Sequence, residues 1–220
     1  RQAGIVIFFY EDCEDEDRVK HEGGRRRTVL KEFLGDAKLK SLQSDGYSVY
    51  MYLDDELVEI EHLCCLAHVR NKLKDAYNQG CEKARFFLEL IACLYRREEK
   101  YRKDNLSPAQ IKEMRNDSYT EKIVNAIESE MYDLLALPEN ETSPLLRRAL
   151  NYLHKFWKQL FAYRNDGGYT IDNMAAERAI RPMTVQRKNS LFFGSTQGAL
   201  RSAIYNTFIE TCKQAKISFQ

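Results

Sequence analysis

Apolar and polar positions divide the chain into three stretches of different period. "IVIFFY" (Ile5 to Tyr10) is a continuous apolar, β-branched run and predicts a buried strand. "TVLKEFL" (Thr28 to Leu34) places Val29, Leu30, Phe33 and Leu34 on one helical face. Leu39 and Leu42 predict a second strand, ended by the turn pair Asp45-Gly46. Val58, Ile60 and His62 alternate as in a third strand, and the pattern turns helical near His68. Strand, helix, strand, strand, helix over 1–70 is an α/β signature.

From about Asn71 to Arg164 the period is helical throughout. Phe86, Phe87, Leu90, Ile91, Leu94 and Tyr95 share a face. "SPAQIKEM" predicts a helix start, with Ser107 as cap, Pro108 in the first turn and Gln110 closing a capping box. Ile123, Ile127, Met131 and Leu134 carry that helix on to Pro138. Ser143 and Pro144 repeat the start signal, and Leu146, Leu150, Leu153, Trp157 and Leu160 form the next stripe. This block, 71–165, predicts a helical bundle or hairpin set whose aromatics serve core packing.

"NDGGYTIDN" then breaks the pattern with turn residues. Asp172 or Asn173 is placed to cap a short helix through Glu177 and Ile180, limited by Pro182. A basic loop, "QRKN", follows. A last amphipathic helix from Gly198 is expected to turn Ala203 or Ile204, Phe208, Ile209 and Cys212 inward.

The 220 residues are enough for one large domain or two small ones, and 44% hydrophobic with 30% charged residues fits a folded chain. No apolar run approaches a membrane span, which points to no membrane partner and a cytoplasmic location. The six cysteines, Cys13, Cys64, Cys65, Cys81, Cys93 and Cys212, lack framework spacing and read as reduced thiols. A net charge of +1 argues against a dedicated DNA-binding module, although "GGRRR" (Gly23 to Arg27) and Glu177 to Asn189 are basic patches. The chain starts at Arg1, so it is expected to be part of something longer.

Three constellations carry chemistry. Asp45 ends a strand, and open α/β sheets bind ligands at carboxyl strand ends. Glu177 lies beyond the helical block, which an interrupted α/β domain could still bring to Asp45; acids that meet can hold Mg²⁺ for phosphodiester chemistry. Singly, Asp45-Gly46 is a turn pair and Glu177 a helix-dipole partner. His62, Cys64, Cys65 and His68 are zinc-ligand types, but so close along one strand-to-helix junction they wrap an ion poorly. A Cys-His hydrolase lacks an orienting group and an oxyanion-hole motif.

"LQSDGYSVY" (Leu42 to Tyr50), "CLAHVRNKL" (Cys65 to Leu73), "IDNMAAERAIRP" (Ile171 to Pro182), "RKNSLFFGSTQGA" (Arg187 to Ala199) and "IETCKQAKIS" (Ile209 to Ser218) occur in this order. Together they resemble the C-terminal catalytic region of insertion-sequence-66 type (DDE class) transposases. The resemblance implies a partial RNase H-like α/β core, 1–70 and 166–220, interrupted by a large all-helical insertion over 71–165. It implies an acidic triad with Mg²⁺ or Mn²⁺, whose second and third acids map to Asp45 and Glu177. It implies strand cleavage at transposon ends and transfer into target DNA, and a bacterial cytoplasmic location; first strands missing from the core would leave a sheet edge for another copy to cover, so a homo-oligomer is expected. Arg178, Arg181, Arg187 and Lys188 become candidates to hold DNA phosphates. No early Asp fits the first acid, since Asp12, Asp15 and Asp17 lie in a loop-like stretch; the piece is therefore expected to be inactive alone. Met174 stands where the family usually has a second Asn, and Leu66 and Ser190 where tryptophan is common. The competing expectation is a helical interaction or self-association module whose acids are structural.

Overall fold

The computed structural model describes residues 39–46, 60–190 and 195–218, together with Ile7 and Gly35. Of the expected buried strand at Ile5 to Tyr10 only Ile7 is described, and it is in no strand and 61% exposed; the rest of that stretch, the helix at Thr28 to Leu34 and the Gly23 to Arg27 patch lie outside the described residues.

The chain divides into two compact units, one of residues 39–173 and one of 1–38 with 174–220. In the first, β1 (Ser41–Ser44) and β2 (Glu61–Cys64) pair in parallel, with Ser41 opposite Glu61 and Ser44 opposite Cys64. Parallel pairing requires a crossover of about a dozen residues or more, and 45–60 supply it. β2 begins at Glu61, so Ile60, expected within the strand, precedes it, and Val58 lies outside the described residues. Its last three residues are buried, so it reads as an apolar run rather than an alternating one.

The helices of this unit are α1 (Leu66–Asn78), α2 (Lys83–Lys103), α3 (Pro108–Arg115), α4 (Ser118–Ala136), α5 (Pro144–Lys155) and α6 (Trp157–Phe161). Their core is Leu66, Val69 and Leu73 of α1, Phe87, Ile91 and Leu94 of α2, Ile127 and Met131 of α4, and Leu146, Leu150 and Leu153 of α5. α1 packs on both α2 and α5, while β2 packs on α6. Each fully buried Leu, Ile or Phe contributes about 1.5–3 kcal/mol, so this cluster is the main source of the unit's stability.

The single helix expected from Ser107 to Pro138 is two helices. Ser107 makes the predicted capping box with Gln110. Asn116 and Asp117 then interrupt, because the Asp117 carboxylate accepts from the Thr120 N–H at 2.8 Å and starts α4 afresh. The chain leaves α4 at Leu137, whose extended backbone (ψ 151°) suits the proline after it. α5 starts at Pro144 as expected, although the Ser143 side chain makes no capping bond.

The second unit contains α7 (Met174–Ser190) and α8 (Thr196–Ala215). Pro182 does not limit α7, which continues through it and through "QRKN", the stretch expected to be a loop. Ser195 caps α8 by accepting from the Gly198 N–H at 3.0 Å. The buried face of α8 is Ala199, Ser202, Ala203, Asn206 and Glu210. Of the residues expected inside, Ala203 rather than Ile204 is buried, Ile209 and Cys212 are half-buried, and Phe208 is 58% exposed. The buried positions of α8 are small or polar, so they do not follow the large apolar side chains. Among the described residues no helix is long and apolar enough to cross a membrane.

Candidate functional site

The carboxyl ends of β1 and β2 gather the polar groups of the first unit. The ladder extends one step beyond the strands, where the Cys65 N–H donates to the Ser44 carbonyl at 3.1 Å. Asp45 follows, half-buried, and Gly46 turns the chain with φ +77°, a left-handed value that favours glycine. The Gly46 N–H donates back to Ser44 Oγ at 3.2 Å, and that hydroxyl lies 2.9 Å from His62 Nε2. His62 thus serves the strand end, 4.0 Å from Cys64 Sγ.

The segment after the helical block returns to this edge. Gln43 brackets Thr170: its amide donates to the Thr170 carbonyl at 3.0 Å and its oxygen accepts from the Thr170 hydroxyl at 2.7 Å. The Leu66 N–H donates to the Ile171 carbonyl at 3.2 Å, and the Asn173 N–H donates to Cys65 Sγ at 3.4 Å. Asp172 is thereby held beside Cys65. Burial raises the pKa of the Cys65 thiol against the Asn173 and His68 backbone bonds, so it stays protonated and is no poised nucleophile.

Two tyrosines from the helical block complete the edge. Tyr152 of α5 donates its hydroxyl to the Asp45 carbonyl at 2.6 Å. Tyr95 of α2 faces Asp172; burial, then that carboxylate, push its phenol far above the usual range. Each ring carries a cation from α1: Lys72 Nζ lies 5.2 Å from the Tyr152 centroid and the Arg70 guanidinium 5.8 Å from that of Tyr95. Tyr152, Tyr95 and Asp172 were not singled out as site residues from sequence. Tyr152 lies beside the Leu146, Leu150 and Leu153 stripe and reads there as core, and nothing along the chain shows that its hydroxyl crosses to a strand end.

Glu177 belongs to the second unit. It lies in the first turn of α7, half-buried, with Arg178 and Arg181 exposed. A carboxylate there is favoured by the helix dipole. Arg187 and Lys188 are on α7, and their side chains lie outside the described residues. Asp45 and Glu177 therefore belong to different units. Both offer carboxylate oxygens with access to water, the donors that hard divalent cations take. Among the described residues no three His, Cys, Asp or Glu side chains form a group able to hold a metal.

Comparison with known proteins bears on the same residues. The profile of the Transposase IS66 family matches residues 12–201. The uncharacterized protein y4qI of Sinorhizobium fredii (strain NBRC 101917 / NGR234) is 32% identical over 183 residues, 78% of this chain and 32% of its own length. The uncharacterized protein y4jD of the same strain is 26% identical over 178 residues, 78% of this chain and 34% of its own. The chain thus spans about a third of the length of these curated relatives. No solved structure matches.

Proposed function

The chain belongs to the IS66 transposase family, and on that premise we propose that it supplies Asp45 and Glu177 as two carboxylates of a metal-dependent DNA strand-transfer centre in an RNase H-like core. The observation that carries this reading is the position of Asp45. It follows the last residue of a strand in a parallel pair, where α/β sheets place their ligands, and its backbone is tied on both sides.

The donor chemistry of Asp45 and Glu177 suits Mg²⁺ or Mn²⁺. When bound, such ions neutralise charge on the scissile phosphate and make an attacking oxygen available at neutral pH. The chain's own part is positioning. Asp45 and Glu177 hold the centre; Arg178 and Arg181, next to Glu177 and one turn on, bind DNA phosphates by charge-assisted hydrogen bonds. Arg187 and Lys188 extend that basic stretch along α7. The partners on this reading are the transposon ends, target DNA and further copies of the protein.

The test is cleavage of a supercoiled plasmid carrying the element's own ends by the full-length protein. Glu177→Ala and Asp45→Asn should each lower cleavage by about a hundredfold or more, with the circular dichroism spectrum unchanged. Wild-type cleavage by either variant overturns the proposal.

A further inference from the structure

Asp45 is set in place by a side chain from the helical block, more than a hundred residues further along the chain. The Tyr152 hydroxyl donates to the Asp45 carbonyl at 2.6 Å. On the other side of that peptide, Gly46 has φ +77° and its N–H is bound by Ser44 Oγ. Before Asp45, the Ser44 carbonyl is taken by the Cys65 N–H. The backbone of Asp45 is therefore fixed at both ends.

The tyrosine is itself well placed for this. Its ring packs on Phe156 with centroids 4.8 Å apart, and Lys72 Nζ caps the ring. Two torsions position a tyrosine side chain, so packing on both sides leaves the hydroxyl little freedom. The fit is close: a Cβ on Gly46 would lie 2.5 Å from the Tyr152 oxygen.

We infer that Tyr152 is a positioning residue for Asp45, through which the helical block sets where the carboxylate meets its metal. This rests on the reading of Asp45 given above. Misplacement of a metal-binding carboxylate by a fraction of an ångström weakens metal binding before it abolishes chemistry. The signature is therefore a changed metal requirement rather than a lost fold.

The experiment measures plasmid cleavage by the full-length protein against Mn²⁺ concentration, alongside thermal melts. Tyr152→Phe keeps the ring and removes the donor. It should raise the half-maximal Mn²⁺ concentration about three- to tenfold, the net worth of one hydrogen bond, with much of the rate recovered at saturating metal. Gly46→Ala approaches the same contact from the other side and should also raise it. In the Tyr152→Phe background Gly46→Ala should do less further harm, since the oxygen it strikes first is gone and only the ring carbons at 3.1 and 3.2 Å and the strain of its positive φ remain. An unchanged Mn²⁺ requirement in folded Tyr152→Phe, or strictly additive effects in the double variant, overturns the inference. Should Tyr152→Phe not fold, an unchanged Mn²⁺ requirement in Gly46→Ala overturns it alone. Asp45→Asn is the control: if it cleaves like wild type, the reading of the site has failed. If it is dead and Tyr152→Phe is normal, only the role of Tyr152 has failed.

Discussion

Arg115 and Glu98 form a forked ion pair inside the first unit, with Nε to Oε1 at 2.8 Å and Nη2 to Oε2 at 2.7 Å. Arg115 is 3% exposed. Its remaining N–H groups donate to the carbonyls of Tyr163 and Asp166, at 2.7 Å each, and of Tyr169, at 3.0 Å. One side chain thus ties α2, α3 and the segment that returns toward the strand ends. Arg115→Ala leaves Glu98 and three carbonyls uncompensated and should cost about 3–5 kcal/mol in urea unfolding. Arg115→Lys should recover little of that, because an ammonium cannot reproduce the planar fork. A loss below about 1 kcal/mol for Arg115→Ala would show that the pair adds nothing.

Arg115 also shows where sequence reading stops. The helical block was legible because its leucines and phenylalanines repeat with the helical period and Ser107, Pro108 and Gln110 mark a start. Asp45 and Glu177 are candidates from sequence because they stand in short motifs. Arg115 lies in an ordinary "KEMRN" stretch, and its partners are two strands of chain far apart in sequence; no local pattern encodes that. The break at Asp117 was hidden for a related reason, since the apolar period runs across it while the capping carboxylate decides. On α8 the sequence places Ala203 inside correctly and Phe208 wrongly, because the buried positions there are small or polar rather than large and apolar.

Gly167 and Gly168 look alike in "NDGGYT" and should behave differently. A Cβ on Gly167 would overlap the Pro108 backbone carbonyl, which cannot move without disturbing the start of α3. A Cβ on Gly168 meets only the Asp166 side-chain oxygen, at 3.1 Å. Gly167→Ala should therefore destabilise by roughly 1–3 kcal/mol, as overpacking does, and Gly168→Ala by clearly less. Paired thermal melts decide it; equal melting shifts would mean that the backbone approach at Pro108 is not constraining.

Asp117 gives the fold an acid-sensitive joint. Burial works against its ionisation, but the Thr120 N–H and side chain and then Arg97 outweigh burial and hold its pKa below the ordinary 3.8. A carboxyl depressed by folding contributes stability that is fully present above its unfolded value and is lost as pH falls through the folded one. Asp117→Asn retains a capping acceptor and loses the charge. The stability gap between wild type and Asp117→Asn should be constant above about pH 5 and shrink as pH falls below about 4. Urea unfolding at a series of pH values measures this, and a gap that widens toward acid would contradict it.

Pro182 is the place where local preference and the observed helix disagree most openly. A proline inside a helix lacks the N–H that would bond the carbonyl four residues back, here that of Arg178, and its ring crowds that carbonyl. The usual cost is about 3 kcal/mol relative to alanine. α7 nevertheless continues from Met174 to Ser190 across it. Pro182→Ala should therefore stabilise α7, by less than the full amount because the native helix has already accommodated the ring. Helix content and melting temperature should both rise. Arg178 carries the carbonyl that Pro182 leaves without its helical N–H and Arg181 is the proline's neighbour, so restoring that hydrogen bond changes the backbone that carries both arginines beside Glu177. If their function is to hold phosphate beside that acid, the stabilised variant should bind end-sequence DNA less tightly, although its charges are unchanged. Tighter folding with unaltered DNA affinity would instead mean that Pro182 has no part in placing the arginines.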